Sequence, residues 1–243
     1  MRGPKAAHVL PNAALPALAA PRCDRPVSFP HPPAAAITAL ERLVAADPDL
    51  ARVVAQAGPL PWRTRAPGFP GLLQAIVAQQ ISNQAAAAIW GRLRAIPGAL
   101  DPAGFPGLPD DALRAAGLSR PKVVHARALA QAFLDGTLDA ARLAALGDED
   151  AIAAIAAIRG LGRWTAEVYL LFALGRPDVF PAGDIALAAA FADLKRLDAR
   201  PTPRALRALA EPWRPARALA ARLLWHHWRF VTARPALDDF PVA

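Results

Sequence analysis

The chain has 243 residues, 54% of them hydrophobic and many of them alanine, which is enough for one large domain or two lobes and favours a mostly helical globular protein. β-Branched and aromatic residues are too sparse, and alternate too poorly, for a large sheet. The formal net charge of +8 favours a polyanionic partner such as nucleic acid or an acidic membrane surface, although an arginine-rich genome explains the charge alone equally well.

Cysteine and hydropathy exclude several classes of protein. Cys23 is the only cysteine, so the chain can form neither an internal disulfide nor a four-cysteine zinc or iron–sulfur site. No uninterrupted apolar run approaches the roughly 20 residues of a membrane span. We therefore expect a cytoplasmic protein that does not associate with membranes.

The elements predicted in chain order are almost all helices. Residues 1–33 are rich in proline and alanine without a sustained period, which predicts a flexible tail; 34–232 should form the ordered domain, and 233–243 a loose C-terminus. Apolar periodicity and stop signals predict helices over residues 35–46, 49–56, 69–80, 83–96, 110–116, 120–134, 139–146, 152–158, 164–174, 184–197, 204–209 and 215–230. Asp148 and Asp150 can cap the eighth of these, and Ser82 and Ser119 the fourth and sixth. Short loops join the helices, the pattern of an all-α fold.

A Gly-Leu-Gly turn separates the eighth and ninth predicted helices, so that a hairpin is expected near 152–175. Gly160 and Gly162 permit a tight turn and a close approach to the backbone, and Leu161 can fill the core of the hairpin. The N–H groups that open the second helix, with the helix dipole, suit a phosphate anion, and Arg163 can add a charge. Taken alone, the turn fits an ordinary helix–helix corner better than an anion site.

Asp184 follows a short loop and precedes another predicted helix. Its residue type and position suit an N-cap for the helix that starts at Ile185, and this is the better explanation when nothing else is considered.

Several motifs together carry a family resemblance. The segments RGLGRWTA (159–166), DVFPAGD (178–184) and AIVAQQIS (75–82), with Gly117-Leu118-Ser119 before Lys122 and with Trp225, resemble the helix–hairpin–helix DNA glycosylase superfamily. The closest likeness is to the enzymes for alkylated bases, 3-methyladenine DNA glycosylase II. It extends over residues 69–228 and implies a two-lobed all-α fold. The chain departs from many relatives at Arg159, where they have proline.

The resemblance implies a role for each matching residue. Asp184 takes the position of the catalytic acid, and a carboxylate there would stabilise the positive charge that develops on the sugar when an N-glycosidic bond breaks. The residues that would contact DNA are Gly160, Leu161, Gly162, Arg163, Thr165 and Gln80. Gln80 would be the wedge that fills the gap left by a flipped nucleotide, and a solvated residue at a helix end is the equal alternative. Trp164, Trp225 and Ser82 would line the base pocket, where an aromatic ring attracts a cationic alkylated base. For each tryptophan, plain core packing is the alternative.

The resemblance also implies that the reaction has no lyase step and needs no cofactor. Bifunctional relatives carry a lysine at the position of Trp164, so we expect a monofunctional hydrolase with no lyase step. We expect no cofactor, no metal ion and no iron–sulfur cluster; a monovalent cation at the hairpin carbonyls stays open. The expected partner is double-stranded DNA with damaged bases. We expect the protein to be a monomer that is associated with the nucleoid.

These inferences lead to one hypothesis with two alternatives. The chain would flip an alkylated purine such as 3-methyladenine out of duplex DNA and hydrolyse its glycosidic bond in base excision repair. The alternatives are a glycosylase for another lesion and a non-catalytic helix–hairpin–helix module that only binds DNA.

Overall fold

Helices make up all the regular secondary structure of residues 31–233, the part of the chain that the computed structural model describes. The α-helices are α1 (Ala34–Ala46), α2 (Pro48–Ala57), α3 (Phe69–Ala78), α4 (Asn83–Arg94), α5 (Asp110–Ala115), α6 (Arg120–Leu134), α7 (Ala140–Ala145), α8 (Asp148–Ala156), α9 (Arg163–Phe172), α10 (Ile185–Leu194), α11 (Pro203–Leu209) and α12 (Arg217–Val231). The prediction of an all-α protein is confirmed. The predicted tail and most of the predicted loose C-terminus lie outside the described residues.

Several predicted helix ends shift for local reasons. Helix α3 ends at Ala78 and not at Gln80, because Gln79 leaves the helical conformation with ψ +130° and Gln80 follows in a left-handed conformation with φ +56°. Helix α10 likewise ends at Leu194, two residues before the left-handed Arg196. The N-cap of α8 is Gly147, which provides no side-chain cap, so Asp148 and Asp150 occupy the first turn and interact there with the helix dipole. Ser119 stands at the N-cap of α6, but its hydroxyl accepts no backbone N–H.

Two hydrophobic cores divide the helices into two lobes. Helices α3 to α9 enclose the first core, which includes Phe105, Leu129 and Tyr169. Helices α1 and α2 pack with α10 to α12 around the second core, so the first two helices join the last three across the chain. Helix α9 contributes to both cores, through Leu170 to the first and Leu171 to the second.

Helix α9 is therefore the element that connects the lobes. Seven of its ten residues are buried, as its apolar sequence predicts. Its first turn emerges from the Gly-Leu-Gly turn, and its last residue, Phe172, lies against α12 through Trp225. This position brings the hairpin, the start of α10 and the middle of α12 to the junction between the lobes.

Candidate active site

Asp184 begins α10 at the junction between the lobes. Its backbone N–H donates to the carbonyl of Pro181 (2.9 Å), which closes a turn before the helix. Its Oδ1 accepts the N–H of Leu187 (2.9 Å), so the expectation of an N-cap is confirmed. The cap fixes the carboxylate at the start of the helix, and because the residue is only half-buried, solvent can still reach it.

Two tryptophans from other helices also donate to this carboxylate. Trp164, on α9, donates its indole N–H to Oδ2 (2.9 Å), and Trp225, on α12, donates to Oδ1 (3.2 Å). Three N–H donors from three helices thus fix the orientation of one carboxylate. The sequence places both tryptophans in a base pocket; in the structure they are half-buried and lie beside Asp184.

A stack of aromatic rings and cations lies behind Trp225, and the sequence analysis does not identify it. The ring of Trp225 stacks on Phe172 with 5.6 Å between centroids. The guanidinium groups of Arg222 and Arg65 lie 4.6 and 5.3 Å from the centroid of Phe172. Burial lowers the pKa of both arginines to about 10, which leaves them cationic at neutral pH. The stack holds Trp225 in place from the side of the second core.

The Gly-Leu-Gly turn joins α8 to α9 as predicted, and its two glycines differ in environment. Gly160 has φ +86°, and a β-carbon there would overlap the imidazole of His125, so this position requires glycine. Leu161 is buried in the first core, as expected of a residue that fills the hairpin. Gly162 is exposed, and a β-carbon there would meet nothing within 4 Å. The open side of the turn therefore faces outward at Gly162.

The start of α9 has the features of an anion site. Gly162 is its N-cap and provides no side chain, so the first N–H groups of the helix have no side-chain cap. Gly162 and Arg163, the first residue of α9, are exposed. The backbone here can therefore donate to a phosphate.

Two predicted DNA contacts on α9 have other partners. Arg163 donates Nε to Glu167 (2.9 Å) and both terminal nitrogens to Glu149 (2.9 and 2.6 Å). Hydrogen bonding to Glu149 raises the pKa of Arg163, and burial raises the pKa of Glu167. Thr165 is buried, so its side chain does not lie on a surface that DNA can reach. Both side chains thus contribute to the structure of the hairpin itself.

The turn between α3 and α4 (79–82), which we call the wedge turn, is tied to the hairpin. Gln79 donates Nε2 to the carbonyl of Gly160 (3.0 Å) and to Oγ1 of Thr165 (3.2 Å). Gln80, the predicted wedge, follows it with an exposed side chain. A left-handed non-glycine residue at an exposed turn is a strained conformation of the kind that clusters at functional sites.

Ser82 does not join the pocket. It is exposed and caps α4 by accepting the N–H of Ala85 (3.2 Å), and among the described residues no hydrogen bond joins it to Asp184 or to either tryptophan. The local capping role, which its sequence position also predicts, accounts for this residue.

The other acidic and histidine side chains near the site, in the part of the chain that the structure describes, have structural partners. Within residues 31–233 no cluster of three histidine, cysteine or acidic residues could hold a metal ion. Glu167 faces Arg163 and Arg207 (3.0 Å), and His226 and His227 are buried packing residues. In the same residues no helix has both the length and the apolar composition needed to cross a membrane.

Comparison with known proteins places this geometry in a family. Residues 73–215 match the HhH-GPD superfamily of base excision DNA repair proteins, which covers both the hairpin and Asp184. DNA-3-methyladenine glycosylase 1 of Schizosaccharomyces pombe is 32% identical over 161 residues, 65% of this chain and 71% of that protein. A probable bifunctional transcriptional activator and DNA repair enzyme AlkA of Mycobacterium tuberculosis is 32% identical over 217 residues; the match spans 84% of this chain but only 41% of that protein.

Solved structures agree with the sequence matches. The S. pombe 3-methyladenine DNA glycosylase, solved in complex with abasic DNA, superposes with a TM-score of 0.73 at 29% identity, covering 84% of this chain and 99% of that one. A DNA-3-methyladenine glycosidase of Bacillus halodurans gives a TM-score of 0.68 at 30% identity, covering 83% and 94%.

Proposed function

The chain belongs to the HhH-GPD superfamily of base excision DNA repair proteins, and from that premise we propose that it is a monofunctional DNA glycosylase that removes alkylated purines such as 3-methyladenine from duplex DNA. The proposed partner is double-stranded DNA carrying damaged bases. The protein would act as a monomer that is associated with the nucleoid. The observation that carries the proposal is the carboxylate of Asp184, held by the indole N–H groups of Trp164 and Trp225.

The proposed chemistry follows from the charges of the substrate. Breaking the N-glycosidic bond of a purine builds positive charge on the sugar, and the Asp184 carboxylate stabilises that charge and orients the attacking water. Its fixed position means that little reorganisation is needed when the charge develops. Three donors occupy only part of the acceptor capacity of the two oxygens, so a lone pair remains for water.

The aromatic rings beside the carboxylate favour an alkylated base. Alkylation at a ring nitrogen makes a purine cationic, and the faces of Trp164 and Trp225 attract a cation by about 0.5–2 kcal/mol. The same charge makes the base a good leaving group, so a dedicated general acid is not required. Glu167, the acidic residue of α9, is bound to two arginines and takes no part in this scheme.

Binding and base flipping are assigned to the two neighbouring turns. The N–H groups at Gly162 and the start of α9 would bind a phosphate without reading sequence. Gln80 would enter the space that the flipped nucleotide leaves, and the hydrogen bonds of Gln79 couple this wedge to the hairpin. We further propose that hydrolysis uses no cofactor.

The absence of a lyase step is part of the proposal. A lyase needs a lysine amine at the sugar, and Trp164 stands at the position that the lysine has in bifunctional relatives. The lysines that the structure describes are engaged elsewhere: Lys122 with the carbonyl of Val77 (2.7 Å), and Lys195 with Asp47 and Asp49 (2.9 and 2.8 Å).

The proposal is tested by incubating the chain with methylated duplex DNA and measuring the released bases by chromatography. We expect release of 3-methyladenine, abasic DNA as product, and no covalent adduct on borohydride reduction. Activity confined to parallel duplexes that carry a deaminated or mispaired base would favour a glycosylase for another lesion. Tight DNA binding without any release would favour the non-catalytic module, and a trapped adduct would refute the monofunctional mechanism.

A further inference from the structure

Arg163, the residue that the sequence suggests as the positive charge of the hairpin, is already paired with carboxylates. Arg163 opens α9, but Glu149 and the buried Glu167 receive hydrogen bonds from three of its nitrogens. Glu167 also binds Arg207 (3.0 Å). These two carboxylates and two guanidiniums balance in charge, so the group as a whole brings no excess positive charge to the turn.

Arg159 differs from Arg163 in its lack of carboxylate partners. It lies in the hairpin turn, directly before Gly160, and it is exposed. Among residues 31–233 it has no hydrogen bond and no ion pair. Its neighbours Ile158 and Leu161 are buried in the first core, which anchors the backbone of the turn while the Arg159 side chain stays outside.

The turn around Arg159 is rigid. Gly160 is locked against His125, and its carbonyl accepts the amide of Gln79 (3.0 Å). A long side chain on an anchored backbone loses little entropy beyond its own rotamers when it binds. Arg159 is thus a preorganised cation beside the open N–H groups of α9.

We propose that Arg159 is the residue through which the hairpin contacts a DNA phosphate, and that Arg163 is a structural clamp. This inference rests on the proposed function, because it assumes that the outer face of the hairpin meets DNA. It extends that function by assigning the phosphate contact to Arg159 and not to Arg163, the arginine expected from the motif. Many relatives have proline at the position of Arg159.

The salt dependence of DNA binding tests the assignment. Each phosphate contact contributes about 0.9 to the slope of log K against log salt, so Arg159→Ala should lower the slope by about 0.9 and weaken binding to undamaged duplex DNA about eightfold at 0.1 M salt. Arg159→Lys keeps the charge and should restore most of the slope.

Two controls separate a specific contact from the loss of net charge. Arg200→Ala removes one charge from an exposed arginine without a partner in the described residues. Arg200 lies in the loop after α10, a helix about 15 Å long that has Asp184 at its other end. The substitution should leave the slope unchanged. The double variant Arg163→Ala/Glu149→Ala removes one charge of each sign and should also keep the slope, with a lower melting temperature.

The inference is wrong if Arg159→Ala keeps the wild-type slope, or if Arg163→Ala/Glu149→Ala lowers it by about 0.9. Base release distinguishes this failure from failure of the proposed function. An active wild type with no effect of Arg159→Ala overturns only the assignment of Arg159. An inactive wild type that loses one unit of slope in Arg159→Ala overturns only the glycosylase, and a wild type that does not bind DNA overturns both.

Discussion

At the scale of single residues, Asp184 joins an observed role, the helix cap, to the catalytic role that we propose for it. The N–H of Leu187 donates to Oδ1, and this hydrogen bond is the helix cap. The indoles donate to Oδ1 and Oδ2 from two other helices. The cap is what fixes the side chain at the start of α10, and the indoles then set the plane of the carboxylate. In the proposed mechanism, the hydrogen bonds of the cap therefore also position the reacting carboxylate.

The indole N–H groups should matter for rate more than for folding. Trp164→Phe and Trp225→Phe keep an aromatic ring and remove one donor each, and a hydrogen bond to a charged group contributes about 1.5–3 kcal/mol, so we expect base release to slow about tenfold or more. Single-turnover rates with saturating enzyme measure this effect. Trp228→Phe is the matched control on α12, because its indole donates no hydrogen bond within the described residues. Equal rates for all three variants would contradict the role of the indoles.

At the scale of the element, the hairpin shows what local sequence can and cannot predict. The turn, the burial of Leu161 and the apolar character of α9 follow from glycine spacing and hydrophobic pattern. The partners of Arg163 do not, because Glu149 lies 14 residues earlier and meets it only when α8 folds back on α9. In the same way, local sequence does not predict the hydrogen bond of Thr165 with Gln79, which lies in the wedge turn.

The two glycines of the turn should have separable effects. Gly160→Ala forces a left-handed alanine against His125 and should lower the free energy of unfolding by about 2 kcal/mol or more, since the conformation alone costs about 1–2 kcal/mol. Gly162→Ala has an allowed φ of −99° and open space around its β-carbon, so the fold should be retained.

DNA affinity, unlike stability, should be reduced more directly by Gly162→Ala than by Gly160→Ala. The new methyl group of Gly162→Ala lies where a phosphate would approach, and the loss of that contact should weaken binding on the order of tenfold at 0.1 M salt. Urea unfolding and DNA titration of the two variants measure both effects. A Gly162→Ala protein that binds DNA as tightly as wild type would show that the phosphate does not approach this face.

At the scale of the whole molecule, the two lobes are held together by α9 and by the return of α1 and α2 onto the C-terminal helices. Asp47 shows how this return is secured: it caps α2 and also accepts from Lys195 (2.9 Å) and from the indole of Trp213 (2.8 Å). Helix content and most helix positions can be predicted from periodicity and glycine or proline signals. The partition into two cores cannot, because it depends on which apolar faces meet.

The same limit applies to the site. The motifs identify Asp184, Trp164 and Trp225 individually, but no pattern in the sequence shows that both indoles donate to one carboxylate. Arg222 and Phe172 behind Trp225 lie on helices with strong reasons to be buried, and nothing local distinguishes them from ordinary core residues. Their position behind Trp225 is visible only after the lobes assemble.

A buried histidine should make the stability of the whole molecule depend on pH. His226 donates Nε2–H to the carbonyl of Gly58 (3.1 Å), and its other ring nitrogen faces Arg229 (3.4 Å). Burial lowers its pKa below the usual 6.5, with Arg229 and Arg63 acting in the same direction. Between the two pKa values the unfolded chain binds more protons, so the free energy of unfolding should fall as the pH falls below 6.5, by at most about 1.4 kcal/mol per pH unit from this group.

Urea unfolding between pH 5 and 7.5 measures this dependence. His226→Gln retains an amide donor for Gly58 and cannot take up a proton, so its stability should vary less with pH than that of the wild type. Identical slopes for the two proteins would show that His226 is not the group responsible.

The measurement that tests the central claim most directly is the single-turnover rate of base release by Asp184→Asn on methylated DNA, with DNA affinity and melting temperature determined in parallel. Asparagine caps a helix about as well as aspartate, so the fold and the DNA affinity should be retained. Because the negative charge opposite the developing cation is lost, the account predicts a rate at least about a hundredfold lower. A variant that binds DNA normally and releases 3-methyladenine at the wild-type rate would contradict it.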